Sequence, residues 1–221
     1  RMNEQTAVNN FFQEDLKLHN ATINTMALVE FDAFVEVLRA KGIKVVVVGD
    51  NPDKDTPDAI FPNNWVSFHE DGTVGLYPMF AKNRRKERRE DILDLLEDEG
   101  FVIENVMDYT AAEDEGYFLE GTGSVIMDRV NRKAYCALSA RADEELFIEF
   151  CEDFEYTPVI FTAYQTVDDK RMPIYHTNVM MCLGEQFAVI CLESIDDKKE
   201  SKNVVEHLKQ DGKEIIAISE T

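Results

Sequence analysis

Three residues able to do chemistry recur at one interval in this 221-residue chain. Asn64 stands in Ala59-Ile60-Phe61-Pro62-Asn63-Asn64-Trp65-Val66, and Glu120 in Phe118-Leu119-Glu120-Gly121-Thr122-Gly123-Ser124. His176 stands in Pro173-Ile174-Tyr175-His176-Thr177-Asn178-Val179. Fifty-six residues separate the first from the second and the second from the third. An amide both donates and accepts, an ionised carboxylate only accepts, and an imidazole exchanges protons near neutral pH. Together they could orient a polar carbon centre and move protons at it, as general acid–base catalysis requires. Taken singly, each reads as a satisfied core polar group or a turn residue; the common interval favours convergence on one site. Gly121 and Gly123 would let the backbone approach another group closely beside Glu120.

The elements that must position these residues also repeat. Apolar residues Leu28, Phe31, Phe34, Val35 and Leu38 predict a helix over 26–40, and 43–48 reads as a β-branched strand. Strands are expected over 58–68 and 73–79, then a helix over 84–99 burying Ile92, Leu93, Leu95 and Leu96, then a strand over 101–107. The same β-β-α-β order returns with strands 117–128 and 134–138, helix 143–154 and strand 157–162. It returns again with strands 174–183 and 187–192, helix 202–210 and strand 214–218. Segments 42–50, 100–108 and 212–220 align as glycine followed by a β-branched strand. The period exceeds that of ankyrin or tetratricopeptide repeats, and four-stranded propeller blades would lack the helices. The expectation is an α/β fold in a single domain over 1–221. It holds a partial first unit at 1–50 and complete units at 58–108, 117–163 and 174–220.

Composition narrows the function class. A net charge of −21 argues against a nucleic-acid partner, which would need basic faces to displace counterions. The longest apolar runs are strand-sized, so no membrane partner is expected. Cys136, Cys151, Cys182 and Cys191 show no metal-ligand spacing and read as reduced core residues, which places the chain in the cytoplasm. His19, His69 and His207 fall in contexts unrelated to His176. No metal and no cofactor are expected; the partner is a small-molecule substrate, and homo-oligomerisation is compatible with the sequence.

Four stretches carry a family likeness in the right order over nearly the whole chain. They are Ile60 to Ser67, Tyr77-Pro78-Met79 with Asn83-Arg84-Arg85-Lys86-Glu87-Arg88, Phe118 to Ser124, and Tyr175 to Met181. The chain resembles the guanidino-group-modifying enzymes, and within them the citrulline-utilisation hydrolases, also called arginine-deiminase-related proteins. The resemblance implies the pentein fold, five β-β-α-β units around an axis, here incomplete because the last unit lies beyond Thr221. By the same likeness His176 is the catalytic histidine and Glu120 the carboxylate that binds substrate nitrogen. Asn64 takes a position where deiminases usually carry aspartate, with Asn63 adjoining it. Arg84, or Arg85 one position on, looks like the arginine that binds the substrate carboxylate, and Arg141 its partner in that clamp.

The family nucleophile is a cysteine in a glycine-rich context beyond the catalytic histidine. Cys182 and Cys191 lie in apolar runs instead, so the nucleophile is expected outside these residues. The amide at 64 bears on the substrate. A guanidinium offers only donors and suits two carboxylates, whereas a ureido group presents a carbonyl that an amide can donate to. The implied reaction is hydrolysis of the C–N bond of a ureido or guanidino amino acid, foremost citrulline to ornithine, carbon dioxide and ammonia, by cysteine covalent catalysis. An arginine deiminase, dihydrolase or amidinotransferase, and a catalytically silent pentein that only binds ligand, are the alternatives.

Overall fold

The computed structural model of the protein describes residues 3–13, 20–50 and 53–220. After helix α1 (Asn20–Ala40), three copies of one sheet unit carry the fold. In the first, β1 (Val66–Phe68) pairs antiparallel with β2 (Thr73–Leu76). Helix α2 (Glu90–Asp98) then returns the chain so that β3 (Asn105–Asp108) lies parallel to β2. The second unit starts with a one-turn helix α3 (Gly121–Ser124), which runs into β4 (Val125–Asp128). Strand β5 (Lys133–Leu138) follows antiparallel, and after α4 (Glu144–Asp153) strand β6 (Thr157–Thr162) lies parallel to β5. A hairpin of β7 (Tyr164–Val167) and β8 (Lys170–Pro173) leads to the third unit. There β9 (Met181–Leu183), β10 (Phe187–Ile190), α5 (Lys198–Gln210) and β11 (Glu214–Ala217) repeat the same antiparallel-then-parallel order.

Local sequence explains where the crossover helices begin and end. Asp143 and Asp197 accept backbone N–H bonds at the starts of α4 and α5, satisfying donors that a helix leaves unpaired. All three crossover helices stop at a residue with positive φ, Gly100 (94°), Glu155 (55°) and Gly212 (71°), the left-handed position of a helix C-terminus. The cores lie largely between successive units. Tyr77, Leu119, Phe147 and Phe150 join the first to the second, and Tyr135, Phe161, Ile190 and Leu208 join the second to the third. Such interlocked burial fixes each unit against its neighbour.

Several sequence expectations change. Residues 43–48 form no strand: no described strand pairs with them, and Ile43 and Val47 are exposed. A strand cannot form without a neighbour to take its backbone groups. The α1 stripe is likewise uncovered, with Leu28 and Phe34 exposed and Val35 buried. The helix expected over 84–99 splits into a 3-10 turn at Arg84–Glu87 and α2, because Arg88 and Arg89 are extended. Their guanidinium groups reach Glu113 and Asp91. Ile92 and Leu93 are half-buried against the Trp65 cluster rather than fully enclosed. Strands expected over 58–68, 117–128 and 174–183 survive only as β1, β4 and β9. The β7–β8 hairpin turns on Asp168 and Asp169, both at positive φ, a conformation aspartate tolerates and a sign the apolar pattern does not carry. Cys182 is exposed, contrary to its expected place in the core, while the other three cysteines are buried. Among the described residues no helix is long and apolar enough to cross a membrane.

Candidate active site

The three recurring residues sit within or directly before helical turns, not on strands. Asn64 ends a 3-10 turn over Pro62–Asn64, Glu120 immediately precedes α3, and His176 immediately precedes a 3-10 turn over Thr177–Val179. Each turn feeds the first strand of its unit, β1, β4 or β9. Single turns are too short to show a helical period, so the sequence reads them as continuous strand. Repetition of the turn at the same place in each unit brings the side chains together.

His176 Nε2 lies 2.7 Å from Glu120 Oε2. The other carboxylate oxygen accepts from the Phe80 N–H at 3.0 Å. Arg141 Nη1 and Arg84 Nη1 stand 3.4 and 3.8 Å from Oε2. All four side chains are buried. Burial by itself would raise the Glu120 carboxyl. The His176 hydrogen bond and the charges of His176, Arg141 and Arg84 outweigh it and hold the pKa at about 2. Burial lowers His176, and the Arg141 and Arg84 charges act in the same direction against the pull of Glu120. At neutral pH the carboxylate is therefore ionised and the imidazole neutral. An ionised carboxylate can only accept, so Nε2 carries the proton and Nδ1 keeps its lone pair.

Asn64 is fixed by Arg84. The guanidinium Nη1 lies 2.6 Å from Oδ1, and because arginine has no acceptor the atom facing it must be the amide oxygen. The amide nitrogen then points the other way, toward Gly123. A Cβ placed on Gly123 would meet Asn64 Nδ2 at 2.5 Å and His176 Nδ1 at 2.7 Å. The missing side chain is what allows these two nitrogens to share one small space.

Arg84 is held by Glu87, with Nε at 3.0 and 3.2 Å from its two oxygens and Nη2 at 2.9 Å. Burial drives the Glu87 carboxyl up to about 7 although Arg84 opposes it. Arg141 donates through Nε to Asn9 Oδ1 at 2.9 Å and through Nη2 to the Thr6 carbonyl at 2.9 Å, with its guanidinium over the Tyr175 ring. The segment 3–13 is thus seated on Arg141, and it is tied down by Asn3 to Asp58 at 2.7 Å and by the Asn83 N–H to Gln5 at 2.9 Å.

The structure brings Asn64, Glu120, His176, Arg84 and Arg141 into one cluster. Arg85 stays at its margin, donating to the Met79 carbonyl at 3.0 Å and lying over the Phe118 ring. Asn63 contributes its backbone: its carbonyl accepts from Thr122 Oγ1 at 3.3 Å. The close approach expected at Gly123 is present, whereas Glu87 and the segment 3–13 were not foreseen. Of these two only Glu87 had a sequence signal, a carboxylate three residues after an arginine.

Burial raises the Cys151 thiol to about 12 and that of Cys136 further, so neither supplies a thiolate. Among the described residues no group of three or more potential ligands is arranged to hold a metal, and His19 lies outside those residues. A groove of about 600 Å³ between His69, Arg129, Arg132, Phe154 and Tyr156 shares no residue with the Glu120 cluster. It lies at the joint between the first two units, away from the candidate chemistry.

Solved structures of similar fold include apo ArgZ, an arginine dihydrolase from the ornithine–ammonia cycle in cyanobacteria. It has 16% identity and a TM-score of 0.66, over 88% of this chain and 28% of that one. The ternary complex of AgrE with ornithine and NAD+ gives 16% identity and a TM-score of 0.66 over 89% and 26%. SxtG, an amidinotransferase of the saxitoxin pathway from Microseira wollei, gives 14% and 0.64 over 87% and 60%. The chain therefore spans less than two thirds of the length of these proteins. No curated protein matches it. The likeness in structure shows the pentein fold. A family profile described as "N,N dimethylarginine dimethylhydrolase, eukaryotic" matches residues 1–221. The chain belongs to that family, within the pentein superfamily of guanidino-modifying proteins.

Proposed function

We propose that the chain forms the proton-transfer and binding half of a C–N hydrolase acting on a ureido amino acid, foremost citrulline. One observation carries this reading: Asn64 turns its amide nitrogen, a donor, into the space it shares with His176 Nδ1. A ureido carbonyl oxygen accepts such a donor; a guanidinium, which has none to offer but N–H groups, does not.

The chemistry runs as nucleophilic catalysis. A cysteine thiol from outside residues 1–221 gives its proton to His176 Nδ1, and its sulfur bonds to the ureido carbon. His176 returns that proton to the departing nitrogen as the C–N bond breaks. It then takes a proton from water, whose oxygen displaces the sulfur. The sulfur leaves as a thiol with the proton from His176, freeing a carbamic acid whose remaining C–N bond breaks with loss of carbon dioxide; citrulline and one water thereby yield ornithine, carbon dioxide and ammonia. Glu120 keeps the imidazole turned with Nδ1 toward the substrate. Asn64 holds the carbonyl oxygen, where charge develops. Arg141 takes the substrate carboxylate when Asn9 and Thr6 of the segment 3–13 give up their contacts with it, with Arg85 at the margin. The four free cysteines suit the reducing cytoplasm.

A second reading is a two-stage hydrolysis of arginine through a ureido intermediate. The buried, ionised Glu120 favours it, as a natural acceptor for guanidinium N–H groups. Assay of the full-length protein with citrulline and with arginine, following ornithine and ammonia, separates the readings. Release from citrulline, with one cysteine protected from alkylation by that substrate, supports the first. Release from arginine alone selects a guanidino substrate and overturns the ureido preference. No release from either, and no protection, leaves a ligand-binding protein.

A further inference from the structure

We propose that Arg84 is a positioning residue that sets the preference for a ureido over a guanidino group by locking the orientation of Asn64. This inference rests on the ureido reading given above and departs from the role of carboxylate clamp that its place in the sequence suggests.

Arg84 has every edge of its guanidinium engaged by the protein. Nε and Nη2 face the two oxygens of Glu87, Nη1 faces Asn64 at 2.6 Å, and Nη2 also reaches the carbonyls of Asp58 and Phe61, each at 3.3 Å. Both Arg84 and Glu87 side chains are almost wholly buried, at 2% and 1%. A substrate carboxylate could reach Arg84 only by displacing acceptors from within the fold. Arg141 differs, because two of its partners, Asn9 and Thr6, belong to the segment 3–13, which lies outside the three sheet units.

What Arg84 controls is the face that Asn64 shows to a ligand. An amide turned over by half a rotation exchanges a donor for an acceptor with little change in shape. Arginine cannot accept, so its bond to Oδ1 admits one orientation, and that orientation sends Nδ2 toward His176 Nδ1. Without the guanidinium, Asn64 could offer its oxygen to the ligand, and the site would serve guanidinium donors as readily as a carbonyl. Glu87 holds the guanidinium in place by gripping its Nε and Nη2 edge.

The test uses the full-length protein and two substrate pairs. One is citrulline and arginine; the other is the same two groups on chains lacking the α-carboxylate, N-(4-aminobutyl)urea and agmatine. Turnover and calorimetric binding are read for the wild type, Arg84→Met, Arg84→Lys and Glu87→Gln, with thermal melting to verify folding. We expect Arg84→Met to lower the ureido-to-guanidino ratio of kcat/KM by about tenfold to a hundredfold in both pairs, the range for a hydrogen bond to a charged group. Arg84→Lys, which keeps one cationic donor, restores most of the ratio. Glu87→Gln shifts it in the same direction by less, and decides the matter if Arg84→Met does not fold. A carboxylate clamp gives another pattern: KM rises equally for citrulline and arginine, and the pair without the carboxylate is unaffected. That result overturns the inference and leaves the ureido reading intact. A wild type that neither binds nor turns over either ureido compound overturns the ureido reading itself, and the inference with it.

Discussion

His176 and Glu120 lie on different units, 56 residues apart, yet Nε2 and Oε2 are 2.7 Å from each other inside the protein. The pair works as one device. The carboxylate decides which imidazole nitrogen carries the proton, and so leaves Nδ1 free beside Asn64. In Glu120→Gln the amide can present either a donor or an acceptor, and the tautomer is no longer imposed. Turnover should fall on the order of 10³-fold with little change in KM. The same substitution removes the anion between two buried guanidinium groups. Denaturant unfolding should register a loss of about 3 kcal/mol.

Glu87 makes stability depend on pH in the direction opposite to most carboxylates. Its pKa rises from 4.5 to about 7 on folding, so the fold binds the proton more tightly than the unfolded chain. Its contribution is complete below pH 4.5 and is lost as the pH rises through 7. Urea unfolding of wild type and Glu87→Gln should show a stability difference that moves against the wild type between these values. A constant difference across that window would contradict the shift.

Acid acts through Glu120 instead. Its folded pKa of about 2 lies below its ordinary 4.5, so its contribution is full above 4.5 and disappears as the pH falls through 2. His176, lowered on folding, adds a loss that begins as the pH drops below 6.5. Thermal melting between pH 7 and pH 2 should fall more steeply for the wild type than for Glu120→Gln.

Gly123→Ala should damage the site while sparing the fold around it. The new methyl would stand 2.5 Å from Asn64 Nδ2 and 2.7 Å from His176 Nδ1, so the two nitrogens must part. Overpacking of this kind costs about 1–3 kcal/mol. Far-UV circular dichroism should be unchanged, with activity lower by at least about tenfold, the size of one misplaced hydrogen bond.

Asn9 and Arg141 give a prediction of opposite signs. Asn9→Ala removes a side-chain acceptor from Arg141 and should lower KM for an amino-acid substrate. Arg141→Met should raise it, by about tenfold or more, through loss of a charge-assisted bond. Steady-state kinetics with citrulline would show both. Equal KM values in the two variants would remove Arg141 from substrate binding.

The sequence by itself determined the repeat, the crossover helices and the candidates at 64, 120 and 176. Hydrophobic periodicity reports long amphipathic elements well, and a common interval survives any error in element boundaries. It made Arg141 a candidate, as the second arginine of a carboxylate clamp, through family likeness alone, and its place beside Glu120 came from the structure. Tertiary structure decided what the sequence could not carry. The expected strands around Asn64, Glu120 and His176 are single turns, too short to leave a period. The strand at 43–48 does not form among the described residues, because a β-branched run becomes a strand only where another backbone meets it. The orientation of Asn64 depends on Arg84 within its own unit, and the neutral state of His176 on atoms contributed by all three units. Distances between such atoms are set by packing across the repeat, and no pattern along the chain encodes them.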